Sequence, residues 1–128
     1  MNESINVTDA ELEIMKVIWR KSKVTAKEIS EALEESIKWS PSTVKTLLGR
    51  LCSKGIISFN KKGKEYYYFS LVSKENYSIE ESKSFLDKLF NGSLNLMLLN
   101  FVKNKKISKE EAEELRKILG EVEAEGER

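Results

Sequence analysis

Apolar residues recur at helical spacing in two short segments near the start of the chain, residues 7–19 and 24–33. Each segment opens with a threonine followed three residues later by a glutamate, Thr8–Glu11 and Thr25–Glu28, which is the pattern of a helix capping box. We therefore predict two short helices. The apolar face of the first comprises Leu12, Met15, Ile18 and Trp19.

A third helix is predicted by "WSPSTVKTLLGRL", residues 39–51, in which Ser40 is a good N-cap and Pro41 suits the first turn. One side of this helix is apolar and is formed by Val44, Leu47, Leu48, Leu51 and Cys52. The opposite side carries Ser42, Thr46, Gly49 and Ser53, with Thr43, Lys45 and Arg50 at its edges. This polar side has no acid, whereas an ordinary solvated helix face mixes glutamate with lysine.

Two segments rich in β-branched and aromatic residues follow, 57–60 and 65–70, and "KKGK" between them predicts a turn. Tyr66 and Tyr68 are expected on one strand face, Tyr67 and Phe69 on the other. Three helices followed by a hairpin is the order of a winged helix-turn-helix domain. The predicted fold class is therefore mainly α (α+β), and residues 1–72 are assigned to a winged-helix DNA-binding domain.

Residues 73–128 read as three further helices with many apolar positions for so short a segment. These positions can pack back on the first domain or pair with a second copy of the chain. We favour pairing, because bundles of short helices commonly bury such faces between protomers. Residues 73–128 are thus predicted to be a helical dimerisation domain that uses Phe85, Leu89, Leu94, Met97, Leu98, Phe101, Leu115, Ile118 and Leu119.

The composition argues against catalysis. The 128 residues include no histidine and one cysteine, Cys52, so the commonest general base and a thiolate metal cluster are both missing. A carboxylate enzyme would need paired acids in a pocket, but the acids cluster at positions expected to be exposed, such as Glu110, Glu111, Glu113 and Glu114. We expect no enzyme activity, metal or cofactor. A single cysteine cannot form an intramolecular disulfide, so we expect a cytoplasmic protein. There is no signal-peptide pattern and no apolar run near the roughly 18 residues of a membrane span, so we expect no membrane insertion.

The net charge of +1 conceals an uneven distribution. Residues 36–64 contain seven lysines and arginines and no acid. Such a block is either a phosphate-facing surface or a lysine-rich solvated face.

In a helix-turn-helix the second helix of the motif enters the major groove, and here that helix starts at Pro41. Short hydroxyl side chains can reach base edges, and Arg50 can bind guanine or clamp a phosphate. Trp39 can pack on the sugar–phosphate edge or serve as a buried staple. The predicted contacts to double-stranded operator DNA are Trp39, Ser42, Thr43, Thr46, Arg50, Lys61, Lys62 and Lys64. The alternative is a winged-helix protein-interaction module without specific DNA binding.

Four segments, "WSPSTVKTLLGRLCSKGII", "GKEYYYFSL", "SKSFLDKLFNGSLNLMLLNFV" and "EEAEELRKIL", resemble the penicillinase-repressor family of bacterial transcription regulators (BlaI/MecI type). The resemblance implies a homodimeric repressor on inverted-repeat operators, of the β-lactam-resistance type. It also implies inactivation by a sensor-linked protease that cuts the dimerisation domain, here between Asn100 and Phe101. The copper-sensing branch of the family uses a C-terminal cysteine cluster, and this chain has no cysteine after Cys52.

Overall fold

The computed structural model describes residues 6–126. Six helices and one hairpin follow in chain order: α1 (Asp9–Lys21), α2 (Ala26–Leu33), α3 (Pro41–Ser53), β1 (Ile57–Lys62), β2 (Glu65–Ser70), α4 (Lys74–Phe90), α5 (Leu94–Lys103) and α6 (Lys109–Gly126). The fold is mainly α with a two-stranded antiparallel sheet, as the sequence predicts.

The predicted capping boxes of α1 and α2 are both present. Thr8 Oγ1 accepts from the Glu11 N–H at 3.1 Å, and Glu11 Oε1 accepts in return from the Thr8 N–H at 2.9 Å. Thr25 and Glu28 make the same pair of bonds. Ser40 caps α3 by accepting from the Thr43 N–H at 3.2 Å. These contacts span three residues, so local sequence is sufficient to specify where each helix begins.

The chain forms two compact units, the first ending at Glu81 and the second beginning at Ser82. The division falls inside α4 because the first two turns of that helix belong to the first unit: Tyr77 is buried, with its ring centroid 5.6 Å from that of Trp19. The assignment of residues 1–72 to DNA binding and 73–128 to dimerisation remains a prediction.

The core of the first unit lies between α1, α2, α3 and the hairpin. It is formed by Ile14, Met15, Val17, Ile18, Val24, Ile29, Leu33, Val44, Leu47, Leu48, Leu51, Ile56 and Ile57. The inner face predicted for α1 omitted Ile14 and Val17, which are fully buried. Two residues that it included, Leu12 and Trp19, are only partly buried. The physical reason is that α1 packs against α2, α3 and β2 together, so its neighbours cover more of its circumference than a single stripe.

The hairpin is attached to the helices by a further pair of backbone hydrogen bonds. The Val24 N–H donates to the Tyr68 carbonyl at 3.1 Å, and the Tyr68 N–H donates to the Val24 carbonyl at 2.8 Å. The Trp19 indole N–H is directed to the Ser70 hydroxyl at 3.2 Å and the Val72 carbonyl at 3.0 Å. The second half of β2 is thus held against α1 and the loop that follows it, and β1 packs against α3.

The second unit has an unusual surface. None of its described residues is buried, and the large apolar side chains on α4, α5 and α6 are widely exposed, including Leu89, Val102 and Val122 at 59%, 58% and 61%. Each helix in the described part of the chain is too short or too polar to span a membrane.

Candidate nucleic-acid interface

The polar side of α3 is exposed and carries no acid. Val44, Leu47, Leu48 and Leu51 turn inward, which leaves Ser42, Thr46, Gly49 and Arg50 facing solvent and Thr43 half-buried. At the start of the helix the Ser40 hydroxyl lies 3.0 Å from the hydroxyls of both Ser42 and Thr43. The structure thus groups the predicted DNA-contact residues of α3 on one face, with three hydroxyls gathered at its N-terminal end.

Trp39 lies at the edge of this face. Its side chain is half-buried against the core, so part of the ring serves the structural role that sequence reasoning left open. The remainder lines a shallow groove with Ile37, Lys38 and Pro41. Contact between Trp39 and DNA stays a prediction.

The wing differs from the predicted hairpin in the position of its turn. Lys61 and Lys62 belong to β1, and only Gly63 and Lys64 form the turn between Lys62 and Glu65. Gly63 has φ +64° at the first central position, which is the residue pattern of a type II′ hairpin turn. The expectation of a four-residue "KKGK" turn was therefore wrong, because a two-residue turn matches the twist of the flanking strands better.

Because the turn is shorter, Lys61 and Lys62 both lie in strand β1, and their side chains differ in direction. Consecutive strand residues point to opposite faces, so Lys61 shares a face with its cross-strand partner Tyr66 and Lys62 does not. The Lys61 ammonium lies 5.6 Å above the centre of the Tyr66 ring, and that ring stacks on Phe59 at 4.7 Å. Lys61, Lys62 and Lys64 are all exposed, but they present charge in different directions.

One cation of the acid-free block has a carboxylate partner that the block itself does not reveal. Lys54, the C-cap residue of α3, donates to Glu11 Oε1 at 2.6 Å and to the Asn6 carbonyl at 2.9 Å. Glu11 is buried, and within the described residues its Oε2 has no hydrogen-bond partner. Burial alone raises the pKa of Glu11, but the hydrogen bonds from Lys54 and Thr8 and the Lys54 charge outweigh it and lower the pKa below 4.5.

Two further lysines lie near the wing and were not among the predicted contacts. Lys27, from the first turn of α2, and Lys45, from α3, line the same cleft as Lys64. Lys45 was noted as an edge residue of α3 and as one of the seven cations of the acid-free block. Lys27 lies in an acid-rich segment, outside that block. The only local signal for Lys27 was its place in the helix directly before the recognition helix.

The predicted cleavage bond lies in the last turn of α5. The Asn100 carbonyl accepts from the Asn104 N–H at 3.2 Å and from the Asn104 side-chain amide at 2.8 Å. The Phe101 carbonyl accepts from the Lys106 N–H at 2.9 Å. Asn100 is exposed, and Phe101 lines a cleft of about 370 Å³ between α5 and α6 with Met97, Leu98, Leu115 and Ile118. Five of the predicted dimer residues thus meet within this unit, while Phe85, Leu89, Leu94 and Leu119 are exposed on its helices.

Residues 6–126 contain no group of three histidine, cysteine, aspartate or glutamate side chains that could hold a metal. Burial raises the pKa of the Cys52 thiol, which disfavours the reactive thiolate. Cys52 behaves as a half-buried member of the α3 apolar side.

Three helices, a paired hairpin and an acid-free recognition face define a winged helix-turn-helix protein. The family model described as penicillinase repressor matches residues 7–121, nearly the whole chain, and the protein belongs to this family. It is 40% identical to the penicillinase repressor of Bacillus licheniformis over 121 residues, which cover 94% of each chain. It is 39% identical to the methicillin resistance regulatory protein MecI of Staphylococcus aureus (strain N315), over 92% of this chain and 96% of that one.

A solved structure shows the same winged-helix region. The solution structure of the monomeric form of Bacillus licheniformis BlaI, in complex with the blaP half-operator, superposes with a TM-score of 0.51 at 36% identity. The match covers 60% of this chain and 94% of that one.

Proposed function

We propose that this protein is a transcriptional repressor that binds inverted-repeat operator DNA as a homodimer. The observation that carries the proposal is the exposed face of α3, where Ser42, Thr46 and Arg50 stand together without an acid beside a lysine-bearing wing. The relatives are repressors of penicillinase and regulators of methicillin resistance, and one of them is solved on a half-operator. We therefore propose that the regulated genes confer β-lactam resistance.

The α3 face would enter the major groove with its N-terminal end first. Ser42, Thr43 and Thr46 are short enough to reach base edges or phosphates, and a threonine methyl can contact the methyl group of thymine. Arg50, two turns along the helix, can make a bidentate contact to guanine. Lysines at the wing would bind phosphates, which fix position and affinity but carry no sequence information.

Pairing of two chains would supply the affinity that one half-site lacks. None of the described residues of the second unit is buried, and a second copy would cover its exposed apolar side chains. Joining two half-site contacts makes the second one intramolecular, which raises affinity by roughly 10²–10⁴. Loss of the dimer would then release the operator.

Cleavage between Asn100 and Phe101 is the release step that we propose. It would divide α5 and remove α6, which together line the apolar cleft of the second unit. A sensor-linked protease would act as the partner for this step. The protein would work in the cytoplasm, by binding rather than by catalysis.

The test is selection of duplex DNA from a random pool by the purified full chain, repeated over a salt series. Enrichment of an inverted repeat, with binding that weakens steeply as salt rises, is the expected result. Binding that depends on salt but enriches no sequence would reduce the protein to a non-specific DNA binder. No binding at any salt concentration would favour a winged-helix protein-interaction module instead.

A further inference from the structure

A cleft of about 440 Å³ lies between the start of α2, the first half of α3 and the wing, all within the first unit. Three lysines line it, each from a different element: Lys27 from α2, Lys45 from α3 and Lys64 from the hairpin turn. Tyr66 and Tyr68 also line it. Folding thus brings to one place three cations that are about twenty residues apart along the chain.

These lysines carry charge that the described residues do not neutralise. The ion pairs of residues 6–126 are Lys16 with Glu13 and Lys54 with Glu11, so no carboxylate of these residues lies within 4 Å of the three cleft ammonium groups. Like charges gathered around a cleft repel one another and attract an anion. One carboxylate, that of Glu65, also lines the cleft, which leaves an excess of two positive charges.

The start of α2 contributes little to this attraction. Its capping-box carboxylate, Glu28, already accepts from the Thr25 N–H at 2.9 Å and lies 3.2 Å from the Thr25 hydroxyl. The lysine side chains, rather than the helix terminus, therefore make the site.

The cleft also adjoins the recognition face. Lys45 is the residue directly before Thr46 on α3, and Lys64 is at the tip of the wing. A DNA strand lying against α3 and passing toward the wing would bring its backbone to the mouth of the cleft. We propose that the cleft binds a single DNA backbone phosphate in each half-site, with Lys27, Lys45 and Lys64 as its shared ligands. This inference rests on the proposed DNA-binding function.

The hairpin provides a matched control. Lys62 is an exposed lysine two residues from Lys64, but it lies opposite Glu65 in the strand register and does not line the cleft. Lys62→Ala removes the same charge from the same hairpin without touching the proposed site. All of these lysines are exposed, so alanine substitutions there should leave the fold intact.

The test is a phosphate scan of the selected operator, in which each phosphate in turn is replaced by an uncharged methylphosphonate. On unmodified DNA, Lys27→Ala, Lys45→Ala and Lys64→Ala should each weaken binding by about tenfold, the size expected for a charge-assisted phosphate contact. At one position per half-site, the methylphosphonate should weaken DNA binding by the unaltered protein to a similar extent. On that modified DNA, Lys27→Ala, Lys45→Ala and Lys64→Ala should each change affinity less than twofold, while Lys62→Ala keeps whatever effect it has on unmodified DNA.

The proposal is overturned if the three variants lose no affinity on unmodified DNA, or if they lose the same factor whichever phosphate is replaced. Free phosphate is the other source of this anion. If inorganic phosphate at matched ionic strength raises the melting temperature of the unaltered protein but not of Lys45→Ala, and no DNA position responds, the cleft is an anion site unrelated to DNA. If the unaltered protein binds no DNA at all, the proposed function fails first, and this site fails with it.

Discussion

Arg50 is the residue of the recognition face with the greatest capacity for reading sequence. It is exposed on α3, has no carboxylate partner among the described residues, and can donate two parallel hydrogen bonds to a guanine. We expect Arg50→Ala to reduce binding by about 1–3 kcal/mol, with the loss concentrated at one base pair. The measurement is affinity for the selected operator and its single-base variants over a salt series.

An even loss across all sequences, together with a salt slope smaller by about one, would instead assign Arg50 to a phosphate. Unchanged binding would remove Arg50 from the interface.

Gly49 permits a second test at the residue scale, because its effects on stability and on binding should have opposite signs. It lies in the interior of α3 on the exposed face, and an added Cβ would meet no atom within 4 Å. Gly49→Ala should therefore stabilise the free protein by roughly 1 kcal/mol through helix propensity. If the helix backbone approaches DNA at this point, the same change should weaken operator binding.

Denaturant unfolding and operator titration of the same sample measure both effects. Gly120→Ala is the matched control, since Gly120 lies within α6 and an added Cβ there also meets open space. It should stabilise the protein and leave operator binding unchanged. Equal operator affinity for Gly49→Ala and the unaltered protein would contradict close approach at Gly49.

Glu11 joins the start of α1 to the end of α3, and its contribution to stability should depend on pH. The folded pKa is below the ordinary value, so the stabilisation is present above about pH 4.5 and disappears as pH falls through the lower folded pKa. Glu11→Gln keeps an acceptor for the Thr8 N–H but removes the charge that faces Lys54. We expect it to cost about 1–2 kcal/mol at neutral pH, since Lys54 is partly exposed and can turn to solvent.

Denaturant unfolding at neutral pH and over an acid series gives the comparison. The difference between the two proteins should shrink below about pH 4.5 as the carboxyl of the unaltered protein becomes protonated. A difference that persists unchanged to low pH would show that charge is not the source of the stabilisation.

At the scale of the element, α5 is the helix on which the proposed switch depends. It has ten residues, none of them buried, and its last turn is held by the bonds from Asn104 and Lys106. A helix this short is marginal by itself, so its stability must come from packing against other helices. A truncated chain that ends at Asn100 lacks α6 and the last turn of α5. We expect this truncated chain to be largely monomeric.

Sedimentation of this truncated chain, with operator titration alongside, tests the expectation. The full chain is the control and should sediment as a dimer. A truncated chain that remains dimeric and binds the operator with unchanged affinity would show that the switch lies elsewhere.

At the scale of the whole molecule, the exposed apolar surface of the second unit should couple folding to pairing. Leu119 is 54% exposed in the single chain. In a monomer, Leu119→Asp would change stability by no more than about 0.5 kcal/mol, as is usual for surface substitutions. In a dimer that covers Leu119, the same change would place a carboxylate in an apolar interface, and we expect it to lower the melting temperature and abolish the dimer.

Thermal unfolding at several protein concentrations provides the readout. For the unaltered protein the melting temperature should rise with concentration, because partner binding stabilises the folded state by mass action. Lys117→Asp, on the same helix, is the control and should retain this dependence. A melting temperature independent of concentration, with Leu119→Asp neutral, would argue against a dimer formed through this surface.

Sequence alone determined those features whose partners are close along the chain. The capping boxes of Thr8 with Glu11 and Thr25 with Glu28 each span three residues, and the structure confirms both. Helical periodicity likewise identified the buried side of α3. The local patterns of the sequence also predicted the winged-helix order of elements, since short connections leave few ways to arrange three helices and a hairpin.

Tertiary structure decided what depends on residues far apart in the chain. Lys54 counted as a free cation in the sequence, but it binds Glu11, 43 residues away. The sequence did not distinguish Lys61 from Lys62. The position of the turn places both in β1, where strand geometry directs their side chains to opposite faces. The cleft formed by Lys27, Lys45 and Lys64 exists only because α2, α3 and the wing are packed together, and no periodicity or spacing within one element encodes that convergence.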